Sequence, residues 1–229
     1  MSNTIVNGAK RSYIIQKYIE RPLLYRNRKF DIRCFTLLTS VNGNLQGYWY
    51  TEGYLRTSSK EFSLKNVTNR LIHLTNDAVQ KKSEDYGKFE SGNKLSYQEF
   101  QKYLDNQGVK CNFEKDIVPQ LKRMATDTIR AVSRKIDPNR RHFSFEIFGY
   151  DFMIDEALKP WLIEVNTNPC FELSSPLLGR LIPKMAENAV KIAVDPLFPP
   201  PPWPNSKKHL ILDPMDNRFE LVYNDLTDA

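Results

Sequence analysis

Hydrophobic and polar positions in the first third of the chain follow the short period that is typical of β-strands. Residues 13–19 (YIIQKYI) are rich in strand-forming residues, and residues 30–39 (FDIRCFTLLT) alternate at first and end in a continuous apolar run. Asn42-Gly43 follows, a strong signal for a two-residue hairpin turn, and predicts a returning strand over residues 46–51. The polar residues 52–62 (EGYLRTSSKEF) are predicted to form a loop that leaves the sheet.

The middle of the chain carries helical patterns. Ser96 and Glu99 have the spacing of a capping box, which predicts a helix over residues 96–104. Apolar residues recur at intervals of three and four over residues 115–136, where Pro119 is tolerated because it falls in the first turn. Within residues 71–82 a short helix is predicted to start after Thr75 or Asn76, either of which can cap it, and a final helix is predicted over residues 178–194.

Strand patterns return at residues 145–154 (FEIFGYDFMI) and 161–166 (WLIEVN). Four consecutive prolines, Pro199 to Pro202, favour polyproline II and no packed element. The order of elements, without any internal repeat, predicts an α+β fold with a mainly antiparallel sheet packed with helices. We therefore expect a folded unit over residues 1–198 and a proline-rich C-terminal tail over residues 199–229.

The two late strands bring acidic side chains together. If a four-residue turn (Glu-Ala-Leu-Lys) joins them, Ile154 pairs with Trp161 and Asp151 pairs with Glu164. Side chains alternate between faces with period two, so Asn166 points the same way as that opposed pair, whose Cβ atoms are about 5 Å apart. Carboxylates this close repel each other, and a cation between them is the natural explanation. Three oxygen donors suit Mg²⁺, with waters and substrate phosphates as its other ligands.

The residues between these acidic positions are apolar and are assigned to the opposite face or to the core: Phe152, Ile154, Ile163 and Val165. Two other interpretations of the carboxylate pair stay open. Each carboxylate can instead find a Lys or Arg partner on an exposed sheet face. The pair can also serve a retaining or inverting hydrolase, which uses two carboxylates.

A second row of charges lies on the strand over residues 30–39. Lys29, Asp31 and Arg33 share one face because they are alternate residues, and alone they would form a solvent-facing row of self-neutralising charges. Beside a metal-binding hairpin, Lys29 and Arg33 are predicted to contact phosphate. Arg56 can clamp a phosphate or a carboxylate with its bidentate guanidinium.

Charge is distributed unevenly along the 229 residues. The whole chain has a net charge of +6, whereas residues 1–82 contain 14 basic and 5 acidic residues and therefore carry +9. Such an uneven field attracts an anionic partner, and nucleic acid, nucleotide phosphates and an acidic peptide are all candidates. A solvated basic face is the simpler interpretation.

Several classes of protein are excluded. The 13 Phe and 11 Tyr argue against disorder, and no apolar run approaches the about 20 residues of a membrane helix. The first ten residues lack the apolar stretch of a signal peptide. The 3 Cys and 3 His form neither a disulfide framework nor a zinc pattern, so we expect a reduced, soluble, intracellular protein. The absence of GxxxxGK[ST] and GxGxxG excludes P-loop and Rossmann nucleotide sites.

Four blocks of sequence, in the right order, resemble the signatures of the tubulin–tyrosine-ligase-like proteins, which are ATP-grasp ligases that attach amino acids to tubulin. The blocks are QKYIERPLLYRNRKFDIR (16–33), EGYLRTSS (52–59), HLTN (73–76), and FGYDFMID with WLIEVNTNP (148–155 and 161–169). The segment SEDYGKFESGN (83–93) resembles an insert of the same family, and the likeness runs from about residue 12 to Pro200. The resemblance implies the C-terminal half of an ATP-grasp catalytic domain, with the other half-site upstream.

The resemblance assigns roles to matching positions. It implies a hinge that holds adenine, and nucleotide contacts further along the chain; these positions are Gln16, Lys17, Tyr18, Ile19, Lys29, Asp31, Thr75 and Asn76. Arg33 lies beside them in the site, and Arg56 matches an arginine that recognises the incoming amino acid. Asp151, Glu164 and Asn166 match the magnesium ligands of the family.

The implied reaction is ATP- and Mg²⁺-dependent ligation. A carboxylate of a tubulin tail would attack the γ-phosphate of ATP, and the amine of a free amino acid would displace phosphate from the resulting acyl phosphate. The acidic tails of tubulin suit the +9 segment, and the resemblance implies a cytoplasmic, cytoskeletal protein, with the cilium or basal body as a further location.

The amino acid stays open. The 83–93 block and the segment VDPLFPPP favour tyrosine, whereas residues 166–170 (NTNPC) resemble glutamylating and glycylating members. An alternative to a ligase is an inactive microtubule or ciliary binding protein on the same half-fold. Nucleic-acid binding is less favoured because no nucleic-acid module is present, and we expect no membrane partner.

Overall fold

The computed structural model of this protein describes residues 5–6, 9–10, 14–139, 141–201 and 216–228. Its strands are β1 (Ile5–Val6), β2 (Ala9–Lys10), β3 (Leu24–Tyr25), β4 (Arg28–Val41), β5 (Asn44–Tyr50), β6 (Tyr54–Glu61), β7 (Lys94–Ser96), β8 (Phe143–Ile154), β9 (Pro160–Thr167) and β10 (Phe219–Asn224). Its helices are α1 (Arg70–His73), α2 (Asp77–Gln80), α3 (Tyr97–Asn106), α4 (Val118–Ile136), α5 (Pro176–Ala193) and α6 (Asp225–Asp228). The predicted α+β class is confirmed.

Strand β4 organises the main sheet, whose described pairings are all antiparallel. One edge of β4 pairs with β8 over residues 32–41, and β8 pairs in turn with β9. Its other edge is shared, since β6 pairs with the first half of β4 and β5 with the second half. Strand β7 extends the sheet beyond β6, and β10 extends it beyond β5.

Helices cover both faces of this sheet, which explains why β4 is buried along most of its length. On one face, Leu38 and Phe100 belong to a buried cluster that includes residues of α3 and α4. On the other face, Leu37 packs in a second cluster with Leu178 and Met185 of α5. A strand buried on both faces requires hydrophobic residues at consecutive positions. None of the described helices is both long enough and apolar enough to cross a bilayer.

The local signals that predicted turns and caps are confirmed. Asn42 and Gly43 form the β4–β5 turn with φ of 52° and 76°, as a type I′ turn requires. Ser96 caps α3 in a complete capping box with Glu99. Helices α4 and α5 follow the predicted ranges closely, and Pro119 lies in the first turn of α4.

Two predictions about strands are wrong. Residues 14–19 form no strand, and Ile14 and Ile15 are 95% and 98% exposed, because no neighbouring strand pairs with this segment. The predicted loop over residues 52–62 contains β6 instead, a strand paired on both sides. Its polar residues are buried because cross-strand partners satisfy them, as Asp31 does for Arg56.

The C-terminal residues also add to the sheet. The sequence predicted no packed element after Pro199, whereas β10 pairs with β5 and buries Phe219 against Tyr50. Three of the four prolines, Pro199, Pro200 and Pro201, lie outside any helix or strand, as predicted, and Pro202 lies outside the described residues. The division of the chain at residue 198 stays a prediction.

Candidate functional site

A cleft of about 660 Å³ opens between β4, β8 and β9 on one side and the α1–α2 segment on the other. Most of the predicted site residues line it, although they come from four separate parts of the chain: Lys29, Asp31, Arg33, Arg56, Thr75, Asn76, Asp151, Glu164 and Asn166. The remaining four, Gln16 to Ile19, do not line it. The structure thus brings the predicted sheet residues together in one cleft, and their functional roles stay predictions.

The strand register explains how the charged row meets its partners. Asp31 lies opposite Arg56 of β6, and Arg33 lies opposite Asp151 of β8. Because β4 is central, a side chain on its cleft face has neighbours on both adjoining strands. Lys29, Asp31 and Arg33 are each less than 8% exposed, so this row does not face bulk solvent.

Four of these side chains form one ionic network. Arg33 donates from Nε to Asp151 Oδ1 at 2.5 Å and from Nη2 to Oδ2 at 3.1 Å. Arg56 donates from Nε to Asp31 Oδ1 at 2.8 Å, and its Nη2 lies 2.8 Å from Asp151 Oδ2. Both guanidinium groups are thus already paired with carboxylates from neighbouring strands.

The network shifts the pKa values of Asp151 and Arg56. Burial alone would raise the pKa of the Asp151 carboxyl, but Arg56 and Arg33 outweigh it and lower that pKa below its usual range. Burial likewise opposes the charge on Arg56, and Asp31 and Asp151 outweigh it, so the pKa of Arg56 is raised. Asp151 and Arg56 therefore stay charged at neutral pH, and the contacts of the network join β4, β6 and β8 at the floor of the cleft.

Lys29 differs from the two arginines. Its Nζ donates to Tyr18 Oη at 3.2 Å and to the carbonyl oxygen of His73 at 2.8 Å, and it pairs with no carboxylate in the described part of the chain. Burial lowers the pKa of Lys29 to about 8, although Asp31 partly opposes this. Lys29 is the lysine of the cleft that has a positive charge available for an anionic ligand.

The predicted pairing of Asp151 with Glu164 is confirmed. Asn166 Nδ2 lies 3.3 Å from Asp151 Oδ2 and 3.0 Å from Glu164 Oε1, so the three side chains converge. A half turn of the Asn166 amide would present its oxygen in place of the nitrogen. Glu164 is exposed, whereas Asp151 is 4% exposed and already binds the two arginines.

This donor set fits a hard divalent cation. It offers two carboxylates and one amide oxygen, all of the type that Mg²⁺ accepts. The alternative interpretation, in which each carboxylate has a Lys or Arg partner, is confirmed for Asp151, which pairs with Arg33 and Arg56. Within the described ranges, no group of three or more His, Cys, Asp or Glu side chains is arranged to hold a metal, so an amide ligand is needed.

The register near the turn differs from the prediction. Ile154 pairs with Pro160 rather than with Trp161, and a shift of one residue between Asp151 and Phe152 restores the expected pairing further along. The extra residue on β9 is Ile163, a β-bulge that turns toward the cleft rather than the opposite face. Phe152 and Ile154 lie in the core, as predicted, at 0% and 1% exposed, whereas Val165, which pairs with Tyr150 and does not line the cleft, is 40% exposed.

The other predicted nucleotide positions lie at one wall of the cleft. Asn76 is the N-cap residue of α2, yet its side chain makes no capping hydrogen bond and is exposed. Tyr18 contacts Lys29, and Gln16 Nε2 donates to the carbonyl of Ile163 at 3.4 Å. These two residues reach the edge of the site.

Several residues that shape the cleft were not predicted. Lys94 of β7 is almost fully buried, and its Nζ binds Asp77 at 2.5 Å, while Ser174 donates to the same carboxylate at 3.1 Å. Lys81 binds Glu172 across the same end of the cleft at 2.5 Å. The contacts of Ser174 and Glu172 join α2 to the loop that follows β9, and the contact of Lys94 joins α2 to β7. They connect residues 17 to 97 positions apart, and no local pattern signals them.

Sequence comparison shows that this chain is similar to several known proteins. The family model described as "Tubulin-tyrosine ligase family" matches residues 1–201. "Tubulin glycylase 3D" of Tetrahymena thermophila is 37% identical over 186 residues, which are 80% of this chain and 18% of that protein. "Tubulin glycylase 3A" of Drosophila melanogaster is 39% identical over 192 residues, 82% of this chain and 19% of that protein.

"Protein monoglycylase TTLL8" of Homo sapiens is 34% identical over 212 residues, which are 85% of this chain and 24% of that protein. The chain thus spans between 16% and 25% of the length of the curated relatives that it matches.

Proposed function

Because this chain belongs to the tubulin-tyrosine ligase family, we propose that it forms part of an ATP-dependent ligase that adds glycine to the tails of tubulin. The observation that carries this proposal is the convergence of Asp151, Glu164 and Asn166 in the cleft that also holds the Lys29 ammonium. A site that combines oxygen ligands with an available cation suits a metal–triphosphate complex.

The chain's own residues have distinct parts in this proposal. Asp151, Glu164 and Asn166 would hold Mg²⁺, which when bound would neutralise charge on the phosphates of ATP. Lys29 would contact a phosphate oxygen, while Thr75, Asn76 and the segment 16–19 would bind the rest of the nucleotide. Arg33 and Arg56 are held by aspartates, so their main contribution is to fix the position of the Asp151 carboxylate at the cleft floor.

The proposed reaction joins the amine of a free amino acid to a carboxylate of the tubulin tail. The carboxylate accepts a phosphoryl group from ATP, ADP leaves, and the amine then forms the amide bond while phosphate departs. Each step places negative charge near the cleft floor, where Lys29 and the bound Mg²⁺ would stabilise it.

The charges in the cleft favour an amino acid without a charged side chain. Among the described cleft residues, Arg33 and Arg56 are paired with aspartates and Lys81 is paired with Glu172. If Lys29 contacts phosphate, no cation is left for the side-chain carboxylate of glutamate. Relatives of this chain are named tubulin glycylases and monoglycylases, which favours glycine over tyrosine.

The basic character of residues 1–82 supports an acidic polypeptide as the second substrate. Tubulin tails have this chemistry, and relatives named for tubulin make them the natural candidate. The proposed place of action is therefore the cytoskeleton, including ciliary microtubules.

Mass spectrometry tests the proposal directly. The protein is incubated with tubulin, Mg²⁺-ATP and isotopically labelled glycine, glutamate or tyrosine in separate reactions, and the tail peptides are then sequenced. We expect label from glycine alone, with dependence on ATP, and no label with Glu164→Gln. Lys60→Gln, a change at an exposed residue outside the cleft, is the matched control and should retain activity.

A different pattern would support the alternative. If no amino acid is added and no Mg²⁺-ATP binds, but the protein still co-sediments with microtubules in a salt-sensitive way, the chain is a binding protein and the ligase proposal is wrong. Incorporation of glutamate or tyrosine instead of glycine would contradict the charge argument while leaving the ligase proposal intact.

A further inference from the structure

A continuous chain of hydrogen bonds runs from a backbone carbonyl on the protein surface to the Lys29 ammonium in the cleft. His73 Nε2 lies 2.9 Å from the carbonyl oxygen of Asn66, and His73 Nδ1 lies 2.7 Å from Tyr18 Oη. Lys29 Nζ lies 3.2 Å from the same Tyr18 oxygen. His73 also accepts from Lys29 through its own carbonyl oxygen, at 2.8 Å.

The two ends of this chain fix the direction of every bond in it. A carbonyl oxygen can only accept, so Nε2 of His73 must carry a hydrogen and donate it to Asn66. An ammonium can only donate, so the Tyr18 oxygen accepts from Lys29, and the Tyr18 hydroxyl is free to donate to Nδ1. A doubly protonated ring would instead aim an Nδ1–H at the Tyr18 oxygen that already accepts from the Lys29 ammonium, which would place two cations on one acceptor. His73 is therefore assigned as the neutral ring with its hydrogen on Nε2.

This arrangement uses two of the three N–H bonds of Lys29. The Tyr18 oxygen and the His73 carbonyl accept them, and both acceptors are neutral, so the full positive charge of Lys29 is retained. Lys29 lines the cleft, and its third N–H bond is left for a ligand there. The ring of His73 is held from its other side by an edge-on contact with Phe62, at 5.9 Å between ring centroids.

We propose that His73 is a positioning residue that aims the Lys29 ammonium into the cleft, through its carbonyl oxygen and through the Tyr18 hydroxyl that its neutral ring orients. The ligand of Lys29 is an anionic phosphate, and this identification rests on the proposed function. His73 itself contacts no reacting atom in this arrangement, and it acts through Tyr18 and Lys29.

The state of the His73 ring is testable without any ligand. The chain contains 3 His, so the long-range ¹H–¹⁵N spectrum of histidine-labelled protein is simple, and His73→Asn identifies the His73 signals by their loss. At neutral pH we expect the pattern of a neutral ring protonated on Nε2. A ring protonated on Nδ1, or on both nitrogens, would overturn the proposal because Nδ1 could not then accept from Tyr18.

Nucleotide binding tests the consequence for Lys29. His73→Leu should weaken Mg²⁺-ATP binding by about tenfold to a hundredfold, since a charge-assisted contact is misdirected. His73→Asn should retain most of the affinity, because its side-chain oxygen can replace Nδ1 as the acceptor for Tyr18. Tyr18→Phe, which keeps the ring and loses the hydroxyl, should match the leucine variant.

His142 provides the control, since it is exposed at the far end of β4 and β8 and contacts Asn42 rather than the cleft. His142→Asn should bind the nucleotide as the unaltered protein does. Equal affinity for His73→Leu and the unaltered protein, or equal losses for the leucine and asparagine variants, would refute the positioning role. If the unaltered protein binds no nucleotide, the proposed function fails, whereas the ring state still decides the orientation of Tyr18.

Discussion

Asp151 and Glu164 face each other across β8 and β9, and their replacement should abolish metal binding in both cases but lower stability only for Asp151. The Asp151 side chain is 5% exposed and accepts from Arg33 at 2.5 and 3.1 Å and from Arg56 at 2.8 Å. Asp151→Asn removes the charge that both guanidinium groups face. Breaking a buried ion pair from one side costs roughly 3–5 kcal/mol.

The lower end of that range applies here. Arg56 keeps its bidentate partner Asp31, and asparagine keeps one oxygen that can accept from Arg33. We therefore expect Asp151→Asn to lower the free energy of unfolding by about 3 kcal/mol. Glu164→Gln removes an exposed carboxylate that is bonded to Asn166, and should change stability by less than about 0.5 kcal/mol.

Urea denaturation measures both variants, with the free energy of unfolding obtained by linear extrapolation. Mg²⁺ and Mg²⁺-ATP titrations on the same samples should show binding lost in both. A stable Asp151→Asn variant would refute the ionic-network account, and unimpaired metal binding by Glu164→Gln would refute the metal site. Activity data on Asp151 variants alone would not separate the two effects, which makes Glu164→Gln the cleaner probe.

The same network predicts a dependence of stability on pH. The folded pKa of Asp151 lies below its unfolded value because Arg56 and Arg33 outweigh the effect of burial. Its contribution to stability is thus fully present above the unfolded pKa and is lost as the pH falls through the folded pKa. The difference in free energy of unfolding between the unaltered protein and Asp151→Asn, measured by urea denaturation at a series of pH values, should therefore shrink as the pH falls through the folded pKa of Asp151. A difference that stays constant into acid would contradict this account.

Three further outcomes are expected. Because burial lowers the pKa of Lys29 to about 8, Mg²⁺-ATP affinity measured by calorimetry should fall as the pH rises through 8, and an unchanged affinity at pH 9 would contradict a role for the ammonium. Gly149→Ala would place a Cβ 2.9 Å from Cβ of Pro169, so it should destabilise the protein by roughly 1–3 kcal/mol in urea. Gln80→Leu would leave the amide of Ser59 without its acceptor and should cost roughly 1–3 kcal/mol; no loss would show that water replaces the side chain.

The sequence predicted the cleft well where local periodicity controls the structure. Period-two alternation alone placed Asp151 opposite Glu164 and put Asn166 on the same face. The turn register was nevertheless wrong by one residue, and the bulge at Ile163 compensated for that error. A bulge depends on how two strands twist against each other, which hydrophobic pattern does not encode.

Long-range pairing accounts for the larger failures. Residues 52–62 are polar enough to predict a loop, but β6 forms there because Arg56 finds Asp31 on the neighbouring strand. The roles of His73 and Lys94 likewise depend on partners that are distant in sequence. Resemblance to a family supplied the nucleotide-pocket role of Thr75 and Asn76, which local pattern had selected only as candidate helix caps.

Strand β10 has a consequence for any shortened version of the protein. It occupies the outer edge of β5, which would otherwise present a row of unpaired amides and carbonyls. A chain that ends within the proline run would leave this edge of β5 unpaired, and unpaired strand edges recruit other polypeptides into intermolecular sheets. The truncated protein should therefore aggregate during purification even though it retains every cleft residue.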